Sequence, residues 1–447
     1  MTRQLERLTE ALLTAAKRAG ADAADAIAVD GVASSIDIRQ GALEQAERAE
    51  GVEMGLRVLV GQRQACVSVS DISDATIAAV AERAVAMARE APQDPWAGLA
   101  DPSQLAQDRD ATALQLCDSA PEVSAAALED DARRAEAAAM AVQGITQVEA
   151  SASQSRRRIH LAASNGFAGG YMRSSRSVSA VAFAGEGSGM ERDWAAEGRI
   201  FATDLPGADE IGTLAAERAL ARLGARKPRT GTFPVLYDER ISAGLIGHLL
   251  GAVNGSAITC GSSWLRDALG TQVLPIGLSV IEDPHRARVG GSRLFDSEGL
   301  ATTRRAIVEN GLLTGWVLDL ASARKLGLQS TANAARGTSA PPSPGTSNID
   351  LTPGTATRAD LIAQMGTGLL VTSLIGSSIN PTTGDYSRGA SGFWVENGEI
   401  THAVNECTIA GNLRDMLMRI IPANDARAHM STRVPSLLIE GLTIAGE

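Results

Sequence analysis

The sequence predicts an α+β protein. Its N-terminal part reads as an α/β domain with an antiparallel sheet and flanking helices, and its C-terminal part as a mostly antiparallel, barrel-like β domain with a few helices. Three observations carry this. Before the polar stretch Ala225–Gly231, Ala-rich amphipathic segments bracket runs of alternating apolar residues. After it, short apolar runs are separated by glycine turns, two of them the Asn-Gly pairs Asn310-Gly311 and Asn397-Gly398. Aromatic residues are only 3% of a chain that is 44% hydrophobic, so its cores must be built from Ala, Val, Leu and Ile.

A chain of 447 residues exceeds one ordinary core, and the Pro-containing Ala225–Gly231 divides it into expected domains 1–228 and 229–447. Leu5, Leu8, Leu12, Ala15 and Ala16 give a helix over 3–18, ended by Gly20. Ser34–Arg39 alternates as a strand, with Leu43–Ala49 as its partner. Met54–Val60 and Gln64–Ser70 form a hairpin at Gly61-Gln62, and Asp74–Arg89 is an Ala-rich helix. Residues 91–120 are broken by prolines and read as a meandering connection. Pro121–Val142 is a long helix. Strands follow over Val148–Ala163, Gly170–Ala184 and Trp194–Phe201, the first two joined at Asn165-Gly166, and Ala208–Leu223 closes as a helix. The order helix, strands, helix thus occurs twice, a candidate internal duplication.

Beyond the boundary, strand Phe233–Tyr237 leads into helix Ile241–Val253. Short strands are expected at Val273–Leu274, Leu278–Ile281, Ala306–Glu309, Gly315–Leu318, Gly392–Glu396, Glu399–Ala403, Thr408–Ile409 and Leu437–Ile439. The Pro- and Ser-rich Thr338–Asn348 is expected to be irregular, a strap or lid, and Arg358–Met365 a helix.

The net charge of −11 and the lack of a Lys/Arg stripe argue against direct nucleic-acid binding. The four cysteines (Cys66, Cys117, Cys260, Cys407) are widely spaced and form no CxxC. Residues 1–7 lack the apolar core of a signal peptide, and no apolar run reaches the length of a membrane span. A cytoplasmic protein with reduced thiols is expected.

Several blocks in order carry a resemblance. They are Phe233-Pro234-Val235-Leu236, Ile281-Glu282-Asp283-Pro284-His285, Ser292–Gly299, Ala323–Gly327, Gly384–Ala390, Phe393–Ile400 and Thr408–Leu413. With them the chain resembles the TldD/PmbA family, and within it the PmbA (TldE) type of subunit, known in older usage as a modulator of DNA gyrase. The resemblance implies a two-subunit cytoplasmic zinc metalloprotease that trims peptides. In such a pair the TldD-type subunit holds zinc through the two histidines of an HExxxH motif and a distant C-terminal cysteine, with the glutamate as general base. PmbA-type subunits share the fold, lack the zinc ligands and pair with TldD to enclose a peptide-binding chamber.

Laid on this sequence, the motif falls at His248–Val253 and keeps only its first ligand. Leu249 stands where the glutamate would be and cannot take a proton. Val253 stands where the second histidine would be and has no lone pair. The region 424–434 contains His429 and no cysteine. The resemblance therefore implies a chain without metal or catalytic residue, zinc in a TldD-type partner, a heterodimer with that partner, a homodimer when alone, and an unfolded peptide as the bound molecule. Two alternatives stand beside it: a self-sufficient hydrolase with an unconventional site, and a regulatory protein linked to gyrase.

Other constellations are weaker. His248, His429 and Cys407 are scattered soft ligands. The plain reading is an interface histidine and a small buried thiol. No GxSxG elbow supports a serine triad, and Gly290-Gly291-Ser292 and Gly261-Ser262-Ser263 fit no phosphate loop. Asp296 and Glu298, read as alternating strand positions, would face one way near Arg293. They are candidates for acid–base work or peptide-amine binding, or else an ion-pair cluster with Arg293, Arg304 or Arg305. Asp385, Tyr386 and Arg388 form a polar turn-like group suited to docking a peptide. Sequence-independent capture is expected through strand addition, with Gly290–Arg293 and Ser387–Gly392 as edges.

Overall fold

The computed structural model describes residues 2–446. The first half is built from α1 (Thr2–Ala19), β1 (Ala23–Arg39), β2 (Ala42–Val60), β3 (Arg63–Val69) and α2 (Asp74–Glu90), then α3 (Ala125–Met140), β4 (Ile145–Ala163), β5 (Ala168–Ala184), β6 (Glu191–Arg199) and α4 (Ala208–Ala221). The six strands form one antiparallel sheet in the order β3-β2-β1-β4-β5-β6. Each group of three strands carries its own helix pair, and the groups meet where β1 pairs with β4, from Asp25↔Ala163 to Arg39↔Glu149.

Residue parity sets the faces. Ala24, Ala26 and Ala28 of β1 and Met54, Leu56 and Val58 of β2 pack under α1 and α2. Ile36 and Ile38 of β1, with Val148, Ala150 and Ala152 of β4, pack under α3 and α4. Small side chains let helices lie close to the sheet, which is how a core poor in aromatics stays dense. The odd-numbered Ile27 and Leu161 face the other way, into a core with Phe295, Leu300 and Leu320 of the second half. Helices therefore cover one face of the sheet, and the C-terminal part packs on the other around Ile27 and Leu161.

The second half begins with β7 (Gly231–Tyr237), α5 (Glu239–Ala252), α6 (Gly255–Cys260), β8 (Val280–Glu282), β9 (Arg305–Glu309), β10 (Leu312–Leu313) and α7 (Leu320–Leu326). It continues through β11 (Ala334–Ala335), β12 (Ser343–Pro344), β13 (Ile349–Leu351), α8 (Arg358–Met365), β14 (Gly368–Ile379), β15 (Asp385–Glu396) and β16 (Glu399–Asn412). It ends with α9 (Leu413–Leu417), β17 (Ile421–Pro422), β18 (Thr432–Arg433) and β19 (Leu437–Ala445). Strands β16-β15-β14-β7-β19 form a sheet that closes on itself, because β16 also pairs with β19 from Thr408↔Ala445 to Ala410↔Thr443. Closure removes the open edges and makes a five-stranded barrel. The β15–β16 hairpin turns at Asn397-Gly398, both at positive φ (53° and 78°) as a two-residue hairpin turn requires. Pairing is antiparallel except for β7 with β14 and β13 with β18.

Several expected elements change. Leu43–Ala49 and Met54–Val60 are one strand, β2, and the runs at 399–403 and 408–409 are one strand, β16. The periodicity is blurred where a long strand passes from a helix-covered face to an exposed one. Helix α3 starts at Ala125, capped by Ser124, and not at Pro121. Val273–Leu274 and Gly315–Leu318 are not strands, while β14 was not anticipated. The Thr338–Asn348 segment contains the short strand β12, paired with β11. The segment also leans on β2. The Thr338 hydroxyl bonds Glu53 at 2.6 Å, and a Cβ on Gly55 would sit 2.1 Å from the Thr338 carbonyl oxygen, so only glycine admits the contact.

Candidate functional site

Helix α5 starts at Asp238, whose carboxylate accepts the Arg240 N–H at 3.1 Å and is buried between Arg240 and Arg358. Leu245, Ile246, Leu249 and Ala252 recur at helical spacing and enter the same core as the barrel residues Val235, Val371 and Ile439. Gly244, Gly247 and Gly251 lie on the opposite face, with open space where a Cβ would be.

Leu249 and Val253 are both 0% exposed and belong to the core. His248 stands at the border of the two faces, half-buried, with its ring edge-on to Tyr386 at 6.0 Å. Burial, and then the charge of Arg388, hold its imidazole below the usual value, so it is neutral at pH 7.

Tyr386 and Arg388 project from β15 on one face, and Tyr237 ends β7 beside them. Burial, then the neighbouring Tyr386, push the Tyr237 phenol well above its ordinary value. Burial also raises Tyr386. The two phenols perturb each other as hydrogen-bonding neighbours, and neither hydroxyl, nor the Arg388 Nε, has any other partner among the described residues. The nook is thus rich in donors: two phenol O–H groups, a guanidinium and one imidazole N–H. Such a set suits an acceptor oxygen, a carbonyl or carboxylate.

A zinc ion does not fit these residues. One neutral imidazole faces a guanidinium, and the two remaining motif positions are apolar and filled. Cys407 is held at 3.2 Å from the Ala390 carbonyl oxygen, and burial pushes its thiol up to about 11. His429 lies against Arg427 and Glu197 instead. Among the described residues no three His, Cys, Asp or Glu side chains converge on a point that could hold a metal.

The other sequence candidates separate in space. Asp385 points away from Tyr386, is exposed, and is held below the carboxylate range by the Thr383 hydroxyl and then by Asn412. Asp296 and Glu298 are not on a strand. They sit in a tight turn in which the Asp296 carboxylate accepts the N–H groups of Glu298, Leu300 and Ala334. The expected ion-pair cluster is also different. Arg293 donates to the carbonyls of Ala334 and Gly345, Arg305 pairs with Glu282, and Arg304 with Asp283. Gly290–Arg293 is a turn whose Gly290 and Ser292 carbonyls are taken by Arg173 of β5, and Gly291 packs on Asn348. Ser387–Gly392 is paired on both sides, with β14 and β16. Neither segment offers a free edge, so strand addition at these two places is excluded.

Two features escaped sequence reading. Tyr237 carries a signal, a lone tyrosine ending an otherwise apolar strand. The buried cluster of Asp25, Arg57 and Arg336 carries none, because its members come from β1, β2 and the segment after β11.

The chain thus joins a six-stranded, helix-covered sheet to a closed barrel, with the donor-rich nook beside α5 and Leu249 and Val253 buried under it. The description PmbA/TldA metallopeptidase fits it throughout: domain 1 at residues 24–88, the central domain at 118–223 and the C-terminal domain at 230–446. The chain belongs to the PmbA/TldD metallopeptidase family. It is 37% identical to the metalloprotease PmbA of Escherichia coli O157:H7, over 99% of this chain and 97% of that one. It is 35% identical to a PmbA homolog of Haemophilus influenzae, over 96% and 94% of the two chains. A crystal structure of a protein from Bacteroides thetaiotaomicron, described as a modulator of DNA gyrase, superposes with a TM-score of 0.91 at 27% identity, covering 99% of both chains. TldE from Thermococcus kodakarensis shares the fold, with a TM-score of 0.84 at 20% identity over 98% of this chain and all of that one. No helix among the described residues is long and apolar enough to cross a membrane.

Proposed function

We propose that this chain is the non-catalytic, PmbA/TldE-type subunit of a zinc metalloprotease, completing a peptide chamber with a TldD-type partner that carries the zinc. The observation that supports this most directly is the burial of Leu249 and Val253, both 0% exposed, at the positions where a base and a second ligand would stand. The donor nook of His248, Tyr237, Tyr386 and Arg388 would hold a peptide carbonyl or carboxylate without activating water. Alone, the chain would pair with itself through the surface it otherwise gives to the partner.

The test is reconstitution. The purified chain is assayed for metal content and for cleavage of an unfolded peptide, alone and with a TldD-type subunit. The expected result is no stoichiometric metal in this chain, no turnover alone, and cleavage when the two are mixed. One tightly held zinc per chain together with turnover by the chain alone would overturn the proposal.

A further inference from the structure

Between α1 and the end of the β4–β5 hairpin lies a cavity of about 640 Å³, with Leu5, Glu6, Glu10, Leu13, His160 and Met172 among its walls. His160 is 8% exposed, and its Nδ1 lies 2.9 Å from the Thr9 hydroxyl oxygen. Thr9 is 0% exposed, and its one hydroxyl hydrogen is directed at the carbonyls of Leu5 and Glu6, at 3.2 and 3.0 Å. The hydroxyl therefore meets the imidazole as an acceptor, and Nδ1 carries the ring hydrogen. That leaves Nε2 with a bare lone pair and no partner among the described residues. Buried acceptors are ordinarily satisfied, so an acceptor left open on a cavity wall points to a donor that comes from outside the chain.

The backbone keeps this edge of the ring uncovered. Gly170 pairs with His160 across the sheet and also lines the cavity. A Cβ at this position would sit 2.2 Å from the Ile159 carbonyl oxygen and 3.2 Å from His160 Cδ2, the ring atom bonded to Nε2. The first contact requires glycine, and the second shows that glycine leaves the Nε2 side of the ring bare.

We propose that this cavity binds a small apolar molecule bearing one N–H or O–H donor, of the indole or phenol class, with the donor on His160 Nε2. Leu5, Leu13 and Met172 supply apolar wall for its body, and the charges of Glu6 and Glu10 turn away an anion. Arg158, the cation on the same wall, is committed to Asp30. Burial holds the imidazole below its ordinary value, against the opposing pull of Glu6, so it is neutral at pH 7 and keeps its lone pair. None of these residues belongs to the nook beside α5, so the inference stands apart from the proposed function.

The test is calorimetric titration of the full chain with indole, skatole (methylated on carbon), its isomer N-methylindole, and the blocked tripeptide acetyl-Gly-Trp-Gly-amide. One-to-one binding of indole and skatole is expected. N-methylindole, equal in size to skatole but without a donor, should bind about tenfold more weakly, because it leaves Nε2 unpaired. His160→Phe, which keeps a ring and removes the acceptor, should weaken indole about tenfold. In the unaltered chain, the nitrogen NMR resonance of His160 Nε2 should move when indole is added. Binding of indole identifies a free small molecule as sufficient, and binding of the tryptophan peptide alone identifies a peptide side chain. Either supports the site. Absence of saturable binding by both, equal affinity for skatole and N-methylindole, or indole binding indifferent to His160→Phe overturns it. Should the variant fail to fold, an Nε2 resonance that stays in place on saturation with the bound probe overturns it as well.

Discussion

Replacing Leu249 with glutamate, the residue that the family resemblance implies at this place, tests whether that position is core or site. Leu249 is 0% exposed, so the substitution removes a fully buried leucine, worth about 2–3 kcal/mol. It also places a carboxyl where water does not reach. Holding that carboxyl protonated at pH 7, against an ordinary value near 4.3, costs about 4 kcal/mol at about 1.4 kcal/mol per factor of ten in proton affinity. The expected loss for Leu249→Glu is about 6 kcal/mol at pH 7, a large part of a typical folding free energy of about 5–15 kcal/mol. The new carboxyl is raised on folding, so the penalty shrinks as pH falls, to about 3–4 kcal/mol at pH 5. Urea unfolding followed by tryptophan fluorescence reads this core directly, since Trp264, Trp316 and Trp394 all belong to it. With a slope near 3 kcal/mol per molar, the midpoint at pH 7 should drop by about 2 M. Leu249→Met, which conserves volume, should cost less than about 1.5 kcal/mol. A Leu249→Glu midpoint equal to the parent's at both pH values would show that the position has room and water for a charge, and the filled-motif argument would fall.

Three further outcomes follow from the same geometry. Gly247→Ala, on the open face of α5, should stabilise by about 0.5–1 kcal/mol, whereas Gly392→Ala should destabilise the barrel by several kcal/mol, because its Cβ would meet the Leu370 carbonyl oxygen at 1.9 Å; thermal melts of the pair check the contrast. Arg336→Ala strips a fully buried guanidinium from Asp25 and should cost about 3–5 kcal/mol, seen as faster proteolysis at the seam between the two halves. Glu298, raised above its ordinary value to about 8 by burial and then by the Asp296 charge, binds more protons folded than unfolded. Its contribution to stability therefore falls as pH rises from about 4.5 to about 8 and is flat above, and Glu298→Gln should make the melting temperature less dependent on pH across that window.

Much of the fold was legible because its signals are local. The Asn-Gly turns, the Gly20 stop and the alternation of β4 and β5 each depend on a few neighbouring residues. The barrel's closure was not, since the β16–β19 pairing joins residues about 35 apart in a register that no periodicity encodes. At the site, His248, Tyr386 and Arg388 were visible as residue types and do lie together. Asp385 adjoins Tyr386 in sequence yet faces the other way, by the alternation of a strand. Asp296 and Glu298 misled because two-residue spacing suits a strand and a tight turn alike, and only the backbone N–H groups gathered by Asp296 tell them apart.

The junction of β1 with β4 carries a mechanical consequence. Either trio of strands alone would expose one flank of a strand 17 or 19 residues long, a template for any passing chain. Such a half is complete only when docked to its counterpart, and the covalent tether raises the local concentration of that counterpart far above any cellular level. Severing the connection between the halves should therefore yield fragments that re-associate with each other, or self-dimerise, before they would persist as monomers.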